Sequence, residues 1–252
     1  MSLVIIPPVT DDRLILLTND DGVEAEGLLS LRAALQRLGR VVIVAPHEER
    51  SAVSHGLTIH VPLRTLEIGP DCFALTGTPA DCVMLGVRKL LPRPPDLVVS
   101  GINHGANLGD DILYSGTVAG AREAALRQIP SIAVSLLMDG EDNNFEAAAE
   151  FTVRVIEELV EKIEPGGYLN VNIPSGTPTE YRFTRQGSKK VVSHIEEKQD
   201  PRGRPYYWIG LDRSEWIVEA DTDYQSIHDG LVSVTPLQND QTDYRTLRRY
   251  EE

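Results

Sequence analysis

From Arg13 onward the chain alternates short unbroken apolar runs with longer stretches in which apolar residues recur every three or four positions. The runs are Leu14–Thr18 (LILLT), Val41–Ala45 (VVIVA), Leu97–Ser100 (LVVS) and Ile132–Leu136 (IAVSL). Successive residues of a strand point to opposite faces, so a run without polar alternation requires cover on both sides, as in a parallel sheet flanked by helices. Between the runs, Leu28, Leu31, Leu35 and Leu38 stand at helical spacing ahead of Gly39, a natural terminator. Thr78-Pro79 supplies the cap and first-turn residues of a second helix, striped by Val83, Val87 and Leu90. A third helix starts near Ser115–Thr117 and runs through Leu126. A fourth spans about Asn144 to Ile163 and turns Phe151, Val155, Ile156 and Leu159 toward the sheet. This order of elements predicts the α/β class with a mostly parallel sheet.

The texture changes after Gly166 and Gly167. Segments around Tyr168–Ile173, Val191–Glu196, Tyr206–Gly210 and Leu231–Thr235 alternate as antiparallel or mixed strands do, and Asp200-Pro201-Arg202-Gly203 has the turn chemistry to join two of them in a hairpin. Residues 13–252 therefore read as one domain, with 13–165 as the core carrying the site and 166–252 as an extension that completes the sheet. A long hairpin arm is also a device for gripping a second subunit, so the extension points to a homo-oligomer. Residues 1–12 read as a flexible leader.

Charge narrows the function classes. The 252 residues include 38 Asp and Glu against 24 Lys and Arg, a formal net charge of -14. Such a surface repels a phosphate backbone and an anionic membrane, so neither nucleic acid nor membrane is an expected partner. No apolar run approaches the roughly 18 residues of a membrane-spanning helix, and Met1–Val9 lacks both a basic leader and a long apolar core. Cys72 and Cys82 are too few for a disulfide framework or a four-thiolate metal site and suit a reducing compartment. The expected location is the cytoplasm.

Ligands of open α/β sheets bind beyond the carboxyl ends of the strands, and three loops there are unusually polar. The first run ends in Thr18-Asn19-Asp20-Asp21-Gly22, where two adjacent carboxylates repel each other unless a cation or protons intervene. A plain Asp-Gly turn would explain the motif in isolation, but a hairpin turn should not follow a buried parallel strand. The second loop is His47-Glu48-Glu49-Arg50-Ser51-Ala52-Val53-Ser54-His55, and the third is Ser100-Gly101-Ile102-Asn103-His104-Gly105-Ala106-Asn107-Leu108-Gly109-Asp110. Together they offer oxygen: the carboxylates of Asp20 and Asp21, a hydroxyl of Ser51 or Ser54, an amide of Asn103 or Asn107. Hard oxygen ligands suit magnesium, manganese or calcium. Ser115-Gly116-Thr117 precedes an amphipathic helix, so its hydroxyls and free N–H groups can hold a phosphate, although a simple N-cap accounts for Ser115 equally well. The chain has neither G-x-G-x-x-G nor G-x-x-x-x-G-K-[ST], and its six histidines show no compact zinc spacing. A dinucleotide-dependent oxidoreductase thereby loses support. A metal-assisted phosphomonoesterase, with His104 or His55 as candidate proton donors, competes with a sensor that shares the pocket and does no chemistry.

The ordered motifs TNDDG, VVIVAPHEERSA, GTPADCVMLGV, DLVVSGINHGANLGDDILYSGTVAGAREA and GLVSVTPL resemble the SurE family of stationary-phase survival proteins, metal-dependent phosphatases of nucleoside monophosphates. The likeness runs from about Arg13 to Leu237. It implies a Rossmann-like three-layer α/β sandwich with a C-terminal β-hairpin extension that exchanges elements between subunits in homodimers or homotetramers. By the same resemblance one divalent cation per subunit, Mg²⁺ or Mn²⁺, is bound by Asp20, Asp21, Ser51 and Asn103. Ser115, Gly116 and Thr117 line the phosphate pocket, and Asp20, Asp21 and Asn107 are the catalytic candidates. The implied activity is hydrolysis of nucleoside 5′-monophosphates, with 3′-monophosphates as further substrates. His47-Glu48-Glu49 and His55-Gly56 depart from the residues frequent at those places.

Overall fold

The computed structural model describes residues 13–139, 143–190, 193–211, 215–217 and 219–251; the leader expected over residues 1–12 and the first two residues of the strand expected from Val191 lie outside these. In chain order the first half contains β1 (Leu14–Thr18), α1 (Glu26–Leu35), β2 (Arg40–Pro46), β3 (Thr65–Gly69), β4 (Cys72–Leu75), α2 (Pro79–Leu85), β5 (Leu97–His104), α3 (Gly116–Ala125) and β6 (Ser131–Leu136). The second half contains α4 (Phe145–Leu159), β7 (Gly167–Ile173), β8 (Tyr181–Phe183), β9 (Lys189–Lys190), β10 (Ser193–Gln199), β11 (Pro205–Leu211), β12 (Glu215–Trp216), α5 (Asp223–His228), β13 (Val232–Gln238) and α6 (Tyr244–Glu251).

Among the described residues the main sheet has nine strands in the order β3-β4-β2-β1-β5-β6-β7-β13-β8. All neighbours from β4 to β7 are parallel, β3 closes one edge antiparallel to β4, and β13 returns antiparallel to β7. The chain leaves β1 to one side for β2 and later returns to its other side for β5, so β1 and β5 flank the point where strand order reverses. A crevice opens there beyond the carboxyl ends.

The two faces of the sheet differ in chemistry. Ile15, Leu17, Ile43, Val99, Ile132, Val134, Leu169, Val171, Val232 and Val234 form one continuous apolar face under α1 and α4. Leu14, Leu16, Val42, Val44 and Val98 lie on the other face with α2, and Ala133 and Tyr168 lie there with α3. On that second face the parallel strands become polar toward their carboxyl ends, where Thr18, Ser100, Ser135, Asn170 and Asn172 are buried, and Ser233 and Thr235 join them from the amino half of the antiparallel β13.

The helix starts follow local rules. Thr78 accepts from the Asp81 N–H and Asp81 accepts from the Thr78 N–H, a reciprocal cap ahead of Pro79. The α-helix ends at Leu85, short of the expected Leu90, and the last turn widens to a π-helix over Gly86–Leu90, so Val87 and Leu90 still pack inward. The predicted hairpin forms: β10 pairs with β11 from Ser193↔Leu211 to Gln199↔Pro205, and Asp200 accepts from the N–H groups of Arg202 and Arg204 at its tip. β7 of the extension is parallel to β6 and joins the core sheet directly.

Gly27 marks the tightest helix-to-sheet approach, since a Cβ there would lie 2.2 Å from the Ile102 carbonyl oxygen and 3.1 Å from the Phe145 ring. In Gly27→Ala the helix-propensity gain, at most about 1 kcal/mol, is outweighed by this clash with backbone, so a net loss of roughly 1–3 kcal/mol is expected. Urea unfolding of the two proteins measures it.

Candidate active site

Three loops meet at the carboxyl ends of β1, β2 and β5. After Thr18 the first loop turns at once: the Asn19 side-chain amide donates to the Gly22 carbonyl at 2.8 Å, and Gly22 takes φ +107, a conformation that L side chains rarely adopt. This turn lets two successive carboxylates serve one crevice, which a continuing strand would forbid. Asp20 is 4% exposed. Its Oδ2 accepts from the Thr117 N–H at 3.1 Å and its Oδ1 accepts from the Thr117 hydroxyl. The Asp20 carbonyl accepts from the Arg50 N–H at 2.7 Å, which ties the second loop to the first. Asp21 accepts from the His104 N–H at 3.2 Å, at the end of β5.

Gly116 is what allows Asp20 to sit on the first turn of α3. A Cβ at that position would lie 2.8 Å from the Asp20 Oδ2 and 2.9 Å from its Cβ. Ser115 caps the same helix, its hydroxyl accepting from the Val118 N–H at 3.0 Å. Thr117 is engaged with Asp20. Of the three backbone N–H groups of Ser115-Gly116-Thr117, that of Gly116 alone has no protein acceptor among the described residues.

The carboxylates are held against their ordinary chemistry. Burial raises Asp20 to about 6, the Thr117 hydroxyl pulls it down and the Asp21 charge pushes it up again. Asp21 is raised as well, first by burial, with His104 opposing and Glu49 adding to the rise. Two adjoining carboxyl groups that both resist ionisation are accommodated by protons or by a cation.

The other nominated residues divide. Asn103 donates through Nδ2 to the Gly105 carbonyl at 2.7 Å and leaves Oδ1 without a protein partner among the described residues, as a ligand oxygen should be. Ser51 is exposed, and its hydroxyl donates to Glu49 at 2.7 Å rather than touching Asp20, Asp21 or Asn103. Asn107 is 8% exposed and fixed by four hydrogen bonds. Of the candidate proton donors, His55 pairs with Glu123 on α3 at 2.8 Å, and the exposed His104 packs its ring 4.8 Å from that of Phe145. Among the described residues no group of three or more His, Cys, Asp or Glu side chains is placed to hold a metal. A cation here would take two carboxylates and neutral oxygens, a donor set that suits Mg²⁺ or Mn²⁺.

Sequence reasoning did not single out Glu49, Ser135, Asn170, Asn172 or Asp223. Asp223 is fully buried and accepts from the Gly109 N–H at 2.8 Å and the Gly187 N–H at 2.9 Å, so it joins the third loop to the root of the extension. The available signal was alternation: in Tyr168-Leu169-Asn170-Val171-Asn172-Ile173, amides replace hydrophobic residues at every second place.

The described residues contain no helix long and apolar enough to cross a membrane. The family model for Survival protein SurE matches residues 15–193. The 5′-nucleotidase SurE of Pelobacter propionicus is 48% identical over 238 residues, 93% of this chain and 96% of its own length. That of Geobacter metallireducens is 50% identical over 238 residues, covering 92% and 94% respectively. The crystal structure of the SurE protein from Aquifex aeolicus superposes with a TM-score of 0.82 at 43% identity, over 95% of this chain and 100% of that one. Similarity at this level over nearly the whole chain, on the same fold, means that the chain belongs to the SurE family.

Proposed function

We propose that this chain is a 5′-nucleotidase, a phosphomonoesterase that hydrolyses nucleoside 5′-monophosphates, and 3′-monophosphates as well, to nucleoside and phosphate. The observation that carries the proposal is the Asp20 carboxylate, buried on the first turn of α3 beside a second carboxyl group that also resists ionisation. The names of the relatives, 5′-nucleotidase SurE, support the same reading.

Asp20, Asp21 and the free Oδ1 of Asn103 would hold one Mg²⁺ or Mn²⁺, with Ser51 joining once its hydroxyl leaves Glu49. Such an ion supplies Lewis-acid chemistry, making a water nucleophilic at neutral pH and offsetting phosphoryl charge. The chain's own part is positioning. Thr117 uses its N–H and hydroxyl to keep Asp20 in place, so its contribution to the phosphate pocket runs through Asp20. The Gly116 N–H, at the positive end of α3, faces an anion favourably, with Ser115 holding the turn. Asn107 would contribute its side-chain amide from the third loop as a phosphoryl contact. His104, on the rim beside Asp21, is the histidine free to give a proton to the departing alkoxide.

The net charge of -14 argues for small nucleotides rather than nucleic acid as partners. Two free, buried cysteines suit the cytoplasm. The arm β10–β11 exposes Ile195, Tyr206, Tyr207, Trp208 and Ile209, which supports a homodimer or homotetramer built through the extension.

Phosphate release from AMP, GMP and an aryl phosphate should stop with chelator and return with Mg²⁺ or Mn²⁺. Asp20→Asn is expected to lower kcat/KM at least about a hundredfold; equal rates in the two proteins would refute the site. Stability gives an independent check. Because Asp20 has a folded pKa of about 6 against an ordinary value of 3.8, the metal-free fold binds more protons than the unfolded chain between these values. The contribution of this group to stability is greatest below pH 4 and declines as pH rises through 6, by at most about 3 kcal/mol. Chelated Asp20→Asn should therefore melt higher than the chelated parent at pH 7.5, and added Mn²⁺ should reverse the order. For assembly, light scattering should return a mass that is a multiple of 27.8 kDa, and Trp208→Glu should lower it.

A further inference from the structure

The third loop leaves the sheet at His104, and its residue Asn107 would be free to drift if it were fixed by loop contacts alone. It is fixed instead from two strands away. Asn172 on β7 places its side-chain amide edge to edge with the Asn107 peptide: Oδ1 accepts from the Asn107 N–H at 2.7 Å and Nδ2 donates to the Asn107 carbonyl at 3.1 Å. Asn170 donates to the same carbonyl at 2.9 Å. Ser135 on β6 receives the Asn107 side-chain Nδ2 at 2.7 Å. In the sheet register Asn103, Ser135 and Asn172 stand side by side on β5, β6 and β7, so one transverse row links a proposed cation ligand to the residues gripping Asn107. Asn170, Asn172 and Ser135 are each 0% exposed. The arrangement retains a cost, because the Asn170 Oδ1 is buried without a partner. An apolar face like that under α1 and α4 would pack without such a cost.

We infer that Asn172, assisted by Ser135, is a positioning residue that sets the peptide and side chain of Asn107 against the phosphoryl group. The inference rests on the reading of Asn107 as a phosphoryl contact. Asn172 acts as a surrogate strand edge, offering one acceptor and one donor where β5 has ended, and Ser135 orients the amide of Asn107. In Asn172→Asp the side chain keeps its shape but turns a carboxylate oxygen toward the Asn107 carbonyl, so one of the two bonds becomes a repulsion.

The test uses the full chain with inorganic phosphate as the probe, its binding followed by calorimetry at saturating Mn²⁺. Asn107→Ala and Asn172→Asp should each weaken phosphate binding about tenfold, and the double variant should bind no more weakly than Asn107→Ala alone, since residues acting as one unit are not additive. Affinity for Mn²⁺ alone should stay within about twofold of the parent in Asn172→Asp, which a general loosening of the site would not allow. Should Asn172→Asp not fold, Ser135→Ala in the same cycle carries the test, with a smaller loss of about threefold to tenfold. The inference is overturned by parent-like phosphate binding in Asn172→Asp, by losses that add in the double variant, by a parallel fall in Mn²⁺ affinity, or by an Asn107→Ala protein that binds phosphate normally. A parent that binds phosphate yet releases none from AMP sinks the nucleotidase reading and leaves this positioning role standing.

Discussion

The structure is organised around the cost of burying one carboxyl group. Asp20 sits at 4% exposure on the first turn of α3 and is tolerated there because Thr117 gives it two hydrogen bonds and Gly116 gives it room. Burial still holds the group at about 6, so the stabilising contacts only partly offset desolvation. The remainder is an unmet demand for positive charge. On a chain with a net charge of -14, a cation placed there would offset that cost and favour an accompanying anion.

The surrounding fold distributes two tasks between the two faces of a single sheet. The face under α1 and α4 is apolar from end to end and supplies the cohesion of the domain. The opposite face starts apolar and becomes amide- and hydroxyl-bearing where the strands approach the crevice. Hydrogen-bonded groups placed there hold loops at defined positions, which hydrophobic packing alone does less well because it has no direction. The third loop shows the effect: Asn170, Asn172 and Ser135 fix Asn107, while Asp223 fixes Gly109. Asp223 also takes the Gly187 N–H, and Lys189 pairs with Asp111, so the root of the extension is joined to the same loop that lines the crevice.

Several elements escaped the sequence pattern for identifiable reasons. β3 and β4 are short, and β3 lies exposed at the sheet edge, so Thr65–Gly69 carries no buried periodicity. α5 has six residues, too few for a helical repeat to stand out, and it is held by Thr222 as a cap and by Asp223 within the loop network. β7 alternates as antiparallel or mixed strands do, and it is mixed: parallel to β6 and antiparallel to β13. Its alternating amides reflect the polar face they serve and not exposure to solvent.

By itself the sequence determined the α/β class, the central strands, the helix starts and the kinds of atoms available at the carboxyl ends, because periodicity and capping act over a few neighbouring residues. Only the tertiary structure decided how those atoms are spent. Ser115 serves its own helix, Thr117 serves Asp20 at a separation of 97 residues, Ser51 is turned toward Glu49, and Asn107 answers to Asn172 at a separation of 65. Whether a polar atom is free for a ligand or already satisfied depends on which distant partner folding brings within about 3 Å of it. No local pattern contains that distance.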